Sequence, residues 1–295
     1  MTTAAVVIDR TLRQLLSGTV EARNLLTSTL TSADTSVVVT YPLEGLRTGQ
    51  VLEIDSELMY IWATDVPTKT LTVQRGFNGT TAAAHTSGAI ITVSPRFPRA
   101  QVLESINDEL ADLSSPMHGL FQVKTLNQDY NGSDPMVNLT SVTSIIDLLT
   151  VSVRYQTDDY PIARKIRLVR DVPTDDFASG LAIRFDQAVF PGRLRIVYKA
   201  AYTSASTEAT DINSTCGVQE TVTDIVAIGA QIRLMSPREI KRNFTESQGD
   251  TRRADEVTMG SVANSTTGLI RLRRDRIQAE AARLARAYPT FLSKD

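Results

Sequence analysis

From Val51 the chain alternates apolar and polar residues through residues 51–62, again through 70–75 and again through 89–93. Alternation at period two predicts half-buried strands. Asp55-Ser56 and Pro67-Thr68-Lys69 sit where hairpin turns are required, for reasons of φ and side-chain hydrogen bonding. Gly76 and Gly79 supply backbone freedom after the third strand. The small residues 80–84 let the loop lie flat before Gly88 turns it back. The expectation is a small antiparallel β module, with Trp62 in a core strand. Upstream, Ile8, Leu12, Leu15 and Leu16 fall on one side of a short helix that Gly18 can end, and residues 24–30 and 36–41 suit strands. Downstream, Pro95 and Pro98 break the sheet and open a helix over 99–113. Leu103, Ile106, Leu110 and Leu113 line one face of it, while Glu104, Asp108, Glu109 and Asp112 are expected to face away. Ser114-Ser115-Pro116 ends it.

Period two then returns. Strands are predicted over 120–126, 145–155, 164–169, 181–185 and 194–200, separated by Asn131-Gly132-Ser133, Asp158-Asp159-Tyr160-Pro161, Pro173-Thr174-Asp175-Asp176 and Pro191-Gly192. Strands at that spacing, with no helix between them, predict an antiparallel sandwich. A polar linker over 203–210 leads into helices. Val222, Ile225, Gly229 and Ile232 form an apolar stripe whose glycine invites close approach of another element. Ser236-Pro237-Arg238-Glu239 has the form of a helix start. Residues 244–259, with Gly249 to Arg253 at their heart, suit an irregular loop. A last helix is predicted over 267–288, its buried stripe being Ile270, Ile277, Ala281, Leu284 and Tyr288, with Pro289 as its stop. The fold class is therefore α+β. A small antiparallel β module plus helix (1–118) precedes a central antiparallel β-sandwich (119–203), and a C-terminal helical docking region (204–295) follows.

Composition adds bounds to this picture. The 295 residues suffice for two or three domains, and 42% hydrophobic with 22% charged residues is ordinary for folded protein. No run approaches the roughly 18 apolar residues of a membrane span, and no basic-then-apolar leader opens the chain. A lone Cys216 cannot close an internal disulfide, which suits a reducing compartment. Without a secretory route, the six Asn-x-Ser/Thr sites read as turn chemistry. The net charge of −2 rules out a DNA-coating protein, but it is unevenly spread. Residues 1–119 hold 8 basic and 12 acidic side chains, residues 120–232 hold 10 and 13, and residues 233–295 hold 13 and 8. A basic end on an acidic body marks either a docking surface or a solvated helix.

Few residues suit chemistry. His85, His118 and Cys216 are far apart, so a zinc site is not expected. Asp129 to Asp134 resembles the start of a calcium loop, but its sixth position is Asp134 rather than glycine and no glutamate closes it; a turn is the ordinary reading. His85 is expected to be a loop histidine bonded to backbone. No nucleophile elbow or phosphate-loop lysine occurs. Asp158-Asp159 and Asp175-Asp176 suit solvated turns. No catalytic residue, metal ligand or cofactor is assigned, and no enzymatic activity is expected. On the last helix, Arg271, Arg273, Arg274, Arg276, Arg283 and Arg286 either lace the surface through Arg276–Glu280 and Glu280–Arg283 pairs or meet an acidic partner or phosphate. Phe291 and Leu292 leave apolar side chains beyond Pro289, where docking into a partner is a common use.

Two stretches carry a resemblance. Ile54-Asp55-Ser56-Glu57-Leu58-Met59-Tyr60, followed by Arg75 to Gly88, resembles β modules in structural proteins of tailed bacteriophages, especially neck and tail components. Residues 224–230, 238–240, 252–257 and 276–289 look like the carboxyl end of phage head-to-tail connector (adaptor) proteins. The central sandwich matches no motif. The resemblance implies a structural virion protein, made in the host cytoplasm and placed in the neck between head and tail. It implies a homo-oligomeric ring of about twelve copies, which needs a heterologous interface. The ring would dock on the portal protein, meet a downstream neck or tail protein, and pass DNA through its channel without sequence-specific contact or any membrane. The helical parts would form its wall and portal-facing surface, with Arg271, Arg273, Arg274, Arg276, Arg283, Arg286, Phe291 and Leu292 as the portal contact. The alternative is a tail or tail-tip component that binds host surface carbohydrate through the sandwich. Sparse aromatics, at 6%, and a core position for Trp62 count against it.

Overall fold

The computed structural model describes residues 2–17, 19–43, 45–139, 142, 145–154, 161–163, 165–187, 189–246 and 261–289, and of 236–246 and 261–265 the backbone alone. Gly18, Asp158-Asp159, the 247–259 part of the predicted loop, Phe291 and Leu292 lie outside the described residues.

The N-terminal sheet has six strands: β1 (Arg23–Leu25), β2 (Ser36–Val38), β3 (Val51–Ile54), β4 (Glu57–Asp65), β5 (Thr70–Gln74) and β6 (Ile90–Val93). All pairings are antiparallel, in the order β1-β6-β3-β4-β5-β2. The sheet curls until its two end strands meet at a Leu26–Val39 bridge. There Thr27 N–H donates to the Val38 carbonyl and Thr40 N–H to that of Leu25, both at 2.9 Å. Closure removes the unpaired edges that would otherwise template aggregation. Leu26, Val37, Leu52, Ile54, Met59, Ile61, Leu71, Val73 and Ile91 fill the interior. Asp55 takes the β3–β4 turn and Lys69 the β4–β5 turn, at φ of 52° and 53°. A bulge between Ile61 and Ala63 breaks the β4 register. Trp62 sits in that bulge and is 58% exposed, so its predicted core position is corrected.

Helix α1 (Ala4–Leu15) buries Val7, Ile8 and Thr11, and α2 (Arg99–Leu113) buries Val102, Ile106, Leu110 and Leu113. The boundaries of α2 coincide with those its periodicity predicts. Its polar face is less simple, because Glu109 is buried rather than turned to solvent.

The central strands form two three-stranded antiparallel sheets. One has the order β7-β12-β9, with β7 (Gln122–Tyr130), β9 (Asp147–Arg154) and β12 (Gly192–Ala200). The other is β10-β11-β8, with β8 (Met136–Asn138), β10 (Ile166–Arg170) and β11 (Leu181–Phe185). Three-residue β8 is too short for alternation to be visible in sequence. Leu139, Val151, Val153, Ile183, Leu194 and Ile196 fill the space between the sheets, and Tyr130 meets Phe185 with ring centroids 5.3 Å apart.

Helix α3 (Thr223–Glu246) runs unbroken through Pro237, so the helix start predicted at Ser236 is overturned. The local signature was sound, but burial of Val226, Ala230 and Leu234 has already committed the incoming backbone to helix. That outweighs the one hydrogen bond a proline removes. Helix α4 (Ser261–Ala287) begins earlier than predicted. All four helices share one core, which runs from Ala4 through Ile106 and Ile225 to Leu284 and takes in Leu120, Phe121 and Leu149 at the base of the sandwich.

A polar junction ties the β module to this core. Buried Glu53 accepts the backbone N–H of Arg99, at the start of α2, at 2.5 Å. The Arg99 guanidinium holds Glu208 at 2.6–3.0 Å and Asp9 at 2.7 Å, while Ser56 also donates to Glu208 at 2.6 Å. Burial pushes the Glu53 carboxyl up to about 7 against the opposing Arg99 backbone hydrogen bond and charge. A carboxyl raised on folding favours the folded state below its ordinary value of 4.5, and that contribution is lost as pH rises to about 7. Glu53→Gln keeps the acceptor without the charge. Its unfolding free energy from denaturant titration should therefore exceed wild type above pH 7, by on the order of 3 kcal/mol at most, and the difference should vanish near pH 4.

Candidate docking interface

The sequence signature of the β module folds around one carboxylate. Glu57, opening β4, receives two hydrogen bonds from Arg75, at 2.7 and 2.8 Å. It also accepts the backbone N–H groups of Gly76 (3.1 Å) and Ala83 (2.9 Å). Arg75 donates onward to the carbonyls of Thr31, Asp34 and Ala83 at 2.5–2.8 Å. Gly76 turns the chain at φ 62°, where an added Cβ would stand 2.9 Å from the Thr80 carbonyl oxygen. The strand, the arginine and the 76–85 loop are thus fastened to a single side chain.

His85 belongs to the same knot. Its Nε2 faces Glu57 at 2.9 Å and its Nδ1 faces Asp55 at 2.8 Å, while its backbone pairs with Leu30. The ring is held by carboxylates rather than by backbone, which corrects the expectation. With both nitrogens so engaged, the arrangement is that of a structural tie and not of a base poised beside a nucleophile. Cys216 is buried, and burial raises its thiol, an environment that disfavours the thiolate. In the suspected calcium loop, Asn131 Oδ1 accepts the Ser133 N–H at 3.1 Å, an Asx turn of the kind these residues make without a metal.

Helix α4 carries the arginines singled out from sequence, and they separate into two sets. Arg273 donates to buried Glu109 at 2.6 Å and also reaches Asp112. Arg276 holds Asp224 at 3.0 Å and the Thr221 carbonyl at 3.1 Å. Arg283 holds Glu280 at 2.6 Å and Thr221 Oγ1 at 3.1 Å. These three clamp α4 to α2 and to the start of α3. Arg271, Arg274 and Arg286 are exposed. The helix buries Ile277 and Leu284, but its predicted stripe opens at both ends, with Ile270 51% and Tyr288 40% exposed.

Glu109 sits where α2 and α3 come closest. A Cβ at Gly229 would overlap its carboxylate, so the close approach that this glycine invites is made to Glu109. Burial raises the Glu109 carboxyl above its ordinary range, opposed by Arg273 first and then by Arg233. Sequence reasoning missed this residue because on α2 alone it lies among other acids. Its partners, Arg273 and Arg233, are far along the chain.

Beside α4 lies a groove of about 770 Å³. Ala227, Ile228 and Met235 of α3 line it, as do Leu15 at the end of α1, Phe97, and Leu269 and Leu272 of α4. Against known proteins, the chain matches no protein-family model and no curated sequence. The site must therefore be read from its own chemistry, which offers surfaces for docking: an exposed arginine set, an apolar groove and an exposed aromatic cluster. In that cluster Trp62 meets Tyr60 edge to face at 4.9 Å, and Tyr60 meets Phe77 at 5.3 Å.

Two predictions follow from the buried acids. The hydrogen bonds to Glu57 overcome the cost of its burial and hold its carboxyl down at about 2, with Arg75 the leading donor. A depressed carboxyl stabilises the fold above its ordinary value of 4.5, and this is lost as pH falls through about 2. Glu57→Gln leaves Arg75 buried without its counter-charge and should cost about 3–5 kcal/mol at pH 7 by urea unfolding. The deficit should shrink steadily as pH falls from 4.5 to 2. Gly229→Ala should lower stability by about 1–3 kcal/mol through overpacking, despite alanine's better helix propensity. A double-mutant cycle checks the cause, since in a Glu109→Ala background the penalty should disappear.

Proposed function

We propose that this chain is a structural assembly protein of a tailed-phage particle, a head-to-tail adaptor. Identical copies form a ring that docks on the portal, joins the DNA-filled head to the tail and continues the DNA channel. One observation carries the reading. The residues on which the resemblance to phage neck modules rests, Glu57, Arg75, Gly76 and His85 among them, are those that knot the β module into a closed unit. The rest of the molecule is consistent in kind with a scaffold. Its buried charges form ties between elements, and the groove beside α4 and the exposed arginines of α4 offer apolar and cationic surface. Arg271, Arg274 and Arg286 are the cations of α4 left for an acidic partner, whereas Arg273, Arg276 and Arg283 bring α4 into position.

A second reading has one observation in its favour. Trp62 is exposed beside Tyr60, and an aromatic platform of that kind suits a sugar ring, as a tail component binding host carbohydrate would need. A glycan array with wild type and Trp62→Ala measures it directly; absence of Trp62-dependent binding removes this reading.

Symmetry-averaged electron cryo-microscopy of the particle decides the first. Ring density for this chain directly beneath the portal is the expected result, and its location at the tail tip or its absence from the particle overturns the adaptor reading. Combined Arg271→Ala, Arg274→Ala and Arg286→Ala should weaken docking on purified portals without changing thermal stability. Deleting residues 289–295 should weaken it too, and unchanged docking would remove the tail from the contact.

A further inference from the structure

We infer that the groove between α1, α3 and α4 is an acceptor for an amphipathic helix with acidic flanks, presented by another protein. This goes beyond the adaptor reading and does not depend on it. The floor from Ala227 to Met235 is nine residues of helix, about 12 Å from end to end, which matches two turns of a docked helix. Leu15, Phe97, Leu269 and Leu272 add apolar side chains to the groove's lining. Leu272 is 48% exposed on a helix whose neighbouring positions are mostly charged, which is the signature of an apolar side chain lacking a cover. A helix laid into such a groove offers its own stripe at i, i+3, i+4 and i+7.

Charge selects the occupant. The rim carries Arg10 and Arg96, and Arg10 is exposed and pairs with no carboxylate among the described residues. The acid lining the groove, Asp224, already accepts from Arg276 at 3.0 Å. Among the described residues, incoming cations therefore find no unengaged anion in the groove, whereas incoming carboxylates find Arg10. Nucleic acid fits poorly, because the floor is mainly apolar and its amide, Gln231, is already engaged with Gln14. One polar tie crosses the site, Gln231 of α3 donating to Gln14 of α1. It holds the floor and one wall together before anything binds, so the groove is preformed and binding spends little on ordering it.

The test uses the full chain and a fluorescein-labelled designed peptide of about 16 residues, with leucines at helical spacing flanked by glutamates. A second peptide has every glutamate replaced by lysine. Fluorescence anisotropy should show saturable binding of the glutamate peptide, weakened roughly tenfold or more by Leu272→Asp and by Arg10→Glu. The lysine peptide should bind at least as much more weakly to wild type. Leu272 is half exposed, so Leu272→Asp should keep the wild-type circular dichroism and melting temperature. Equal binding of both peptides, no binding of either, or indifference to Leu272→Asp in a folded variant overturns the inference. So does sedimentation showing self-association that Leu272→Asp abolishes, since the occupant would then be a second copy. None of these outcomes bears on where the chain sits in a particle, so a failure here is distinct from failure of the adaptor reading.

Discussion

The carboxylate of Glu57 is buried at the start of β4, where water cannot solvate it, and the β module depends on how that charge is met. Isolated burial would drive the proton back on. Instead Arg75, two backbone N–H groups and His85 converge on it, and their sum more than offsets desolvation. Because the donors come from a strand end, from a loop and from the loop's far anchor, satisfying one side chain fixes the path of residues 75–85. Arg75 then carries the constraint to Thr31 and Asp34, which places the loop after β1 as well. A buried ion pair thus links the loop between the sheet's two end strands β1 and β2 to the anchoring of its longest loop.

The helical core uses the same device at a larger scale. Among the described side chains of α4 the buried hydrophobics are Ile277 and Leu284, and its attachment leans also on Arg273, Arg276 and Arg283. Glu109 accepts Arg273 across 164 residues of chain, in a space available only because Gly229 has no side chain. Surface ion pairs contribute little. Glu109 is different because it is buried, and a buried acid without its arginines is costly. Charge here specifies which helix lies on which, while Ile106, Ile225 and their neighbours supply the bulk of the burial.

A third polar centre, the Glu53–Arg99–Glu208 junction, joins the β module to α1, α2 and the segment entering α3. The molecule is thus a set of hydrophobic units aligned by satisfied charges. That construction suits a part that must hold its shape while its neighbours dock on it. It also leaves the uncovered features, the α1–α3–α4 groove and the Trp62–Tyr60–Phe77 cluster, standing out from a surface otherwise rich in paired polar groups.

The sequence by itself determined the α+β class, the alternating strands of the β module, the hairpin at Asp55-Ser56 and the boundaries of α2. It also marked Gly229 as a place of close approach. Each of these is a local property: a period of two or 3.6, a turn residue at a fixed offset, a missing Cβ. Tertiary structure decided the rest. Sheet closure through Leu26 and Val39 depends on curvature that no single strand encodes. Trp62 is exposed because Ile61 takes the inward face just before it, and the bulge leaves Trp62 without a cross-strand partner. Pro237 continues a helix because burial upstream outweighs a local start signal. Glu109 looks like solvated surface on its own helix and is buried only because Arg273 and Gly229, distant in sequence, arrive beside it. Periodicity records which face a residue shows its neighbours in the chain, but ion pairs and closure record which distant segments meet, and packing alone brings those together.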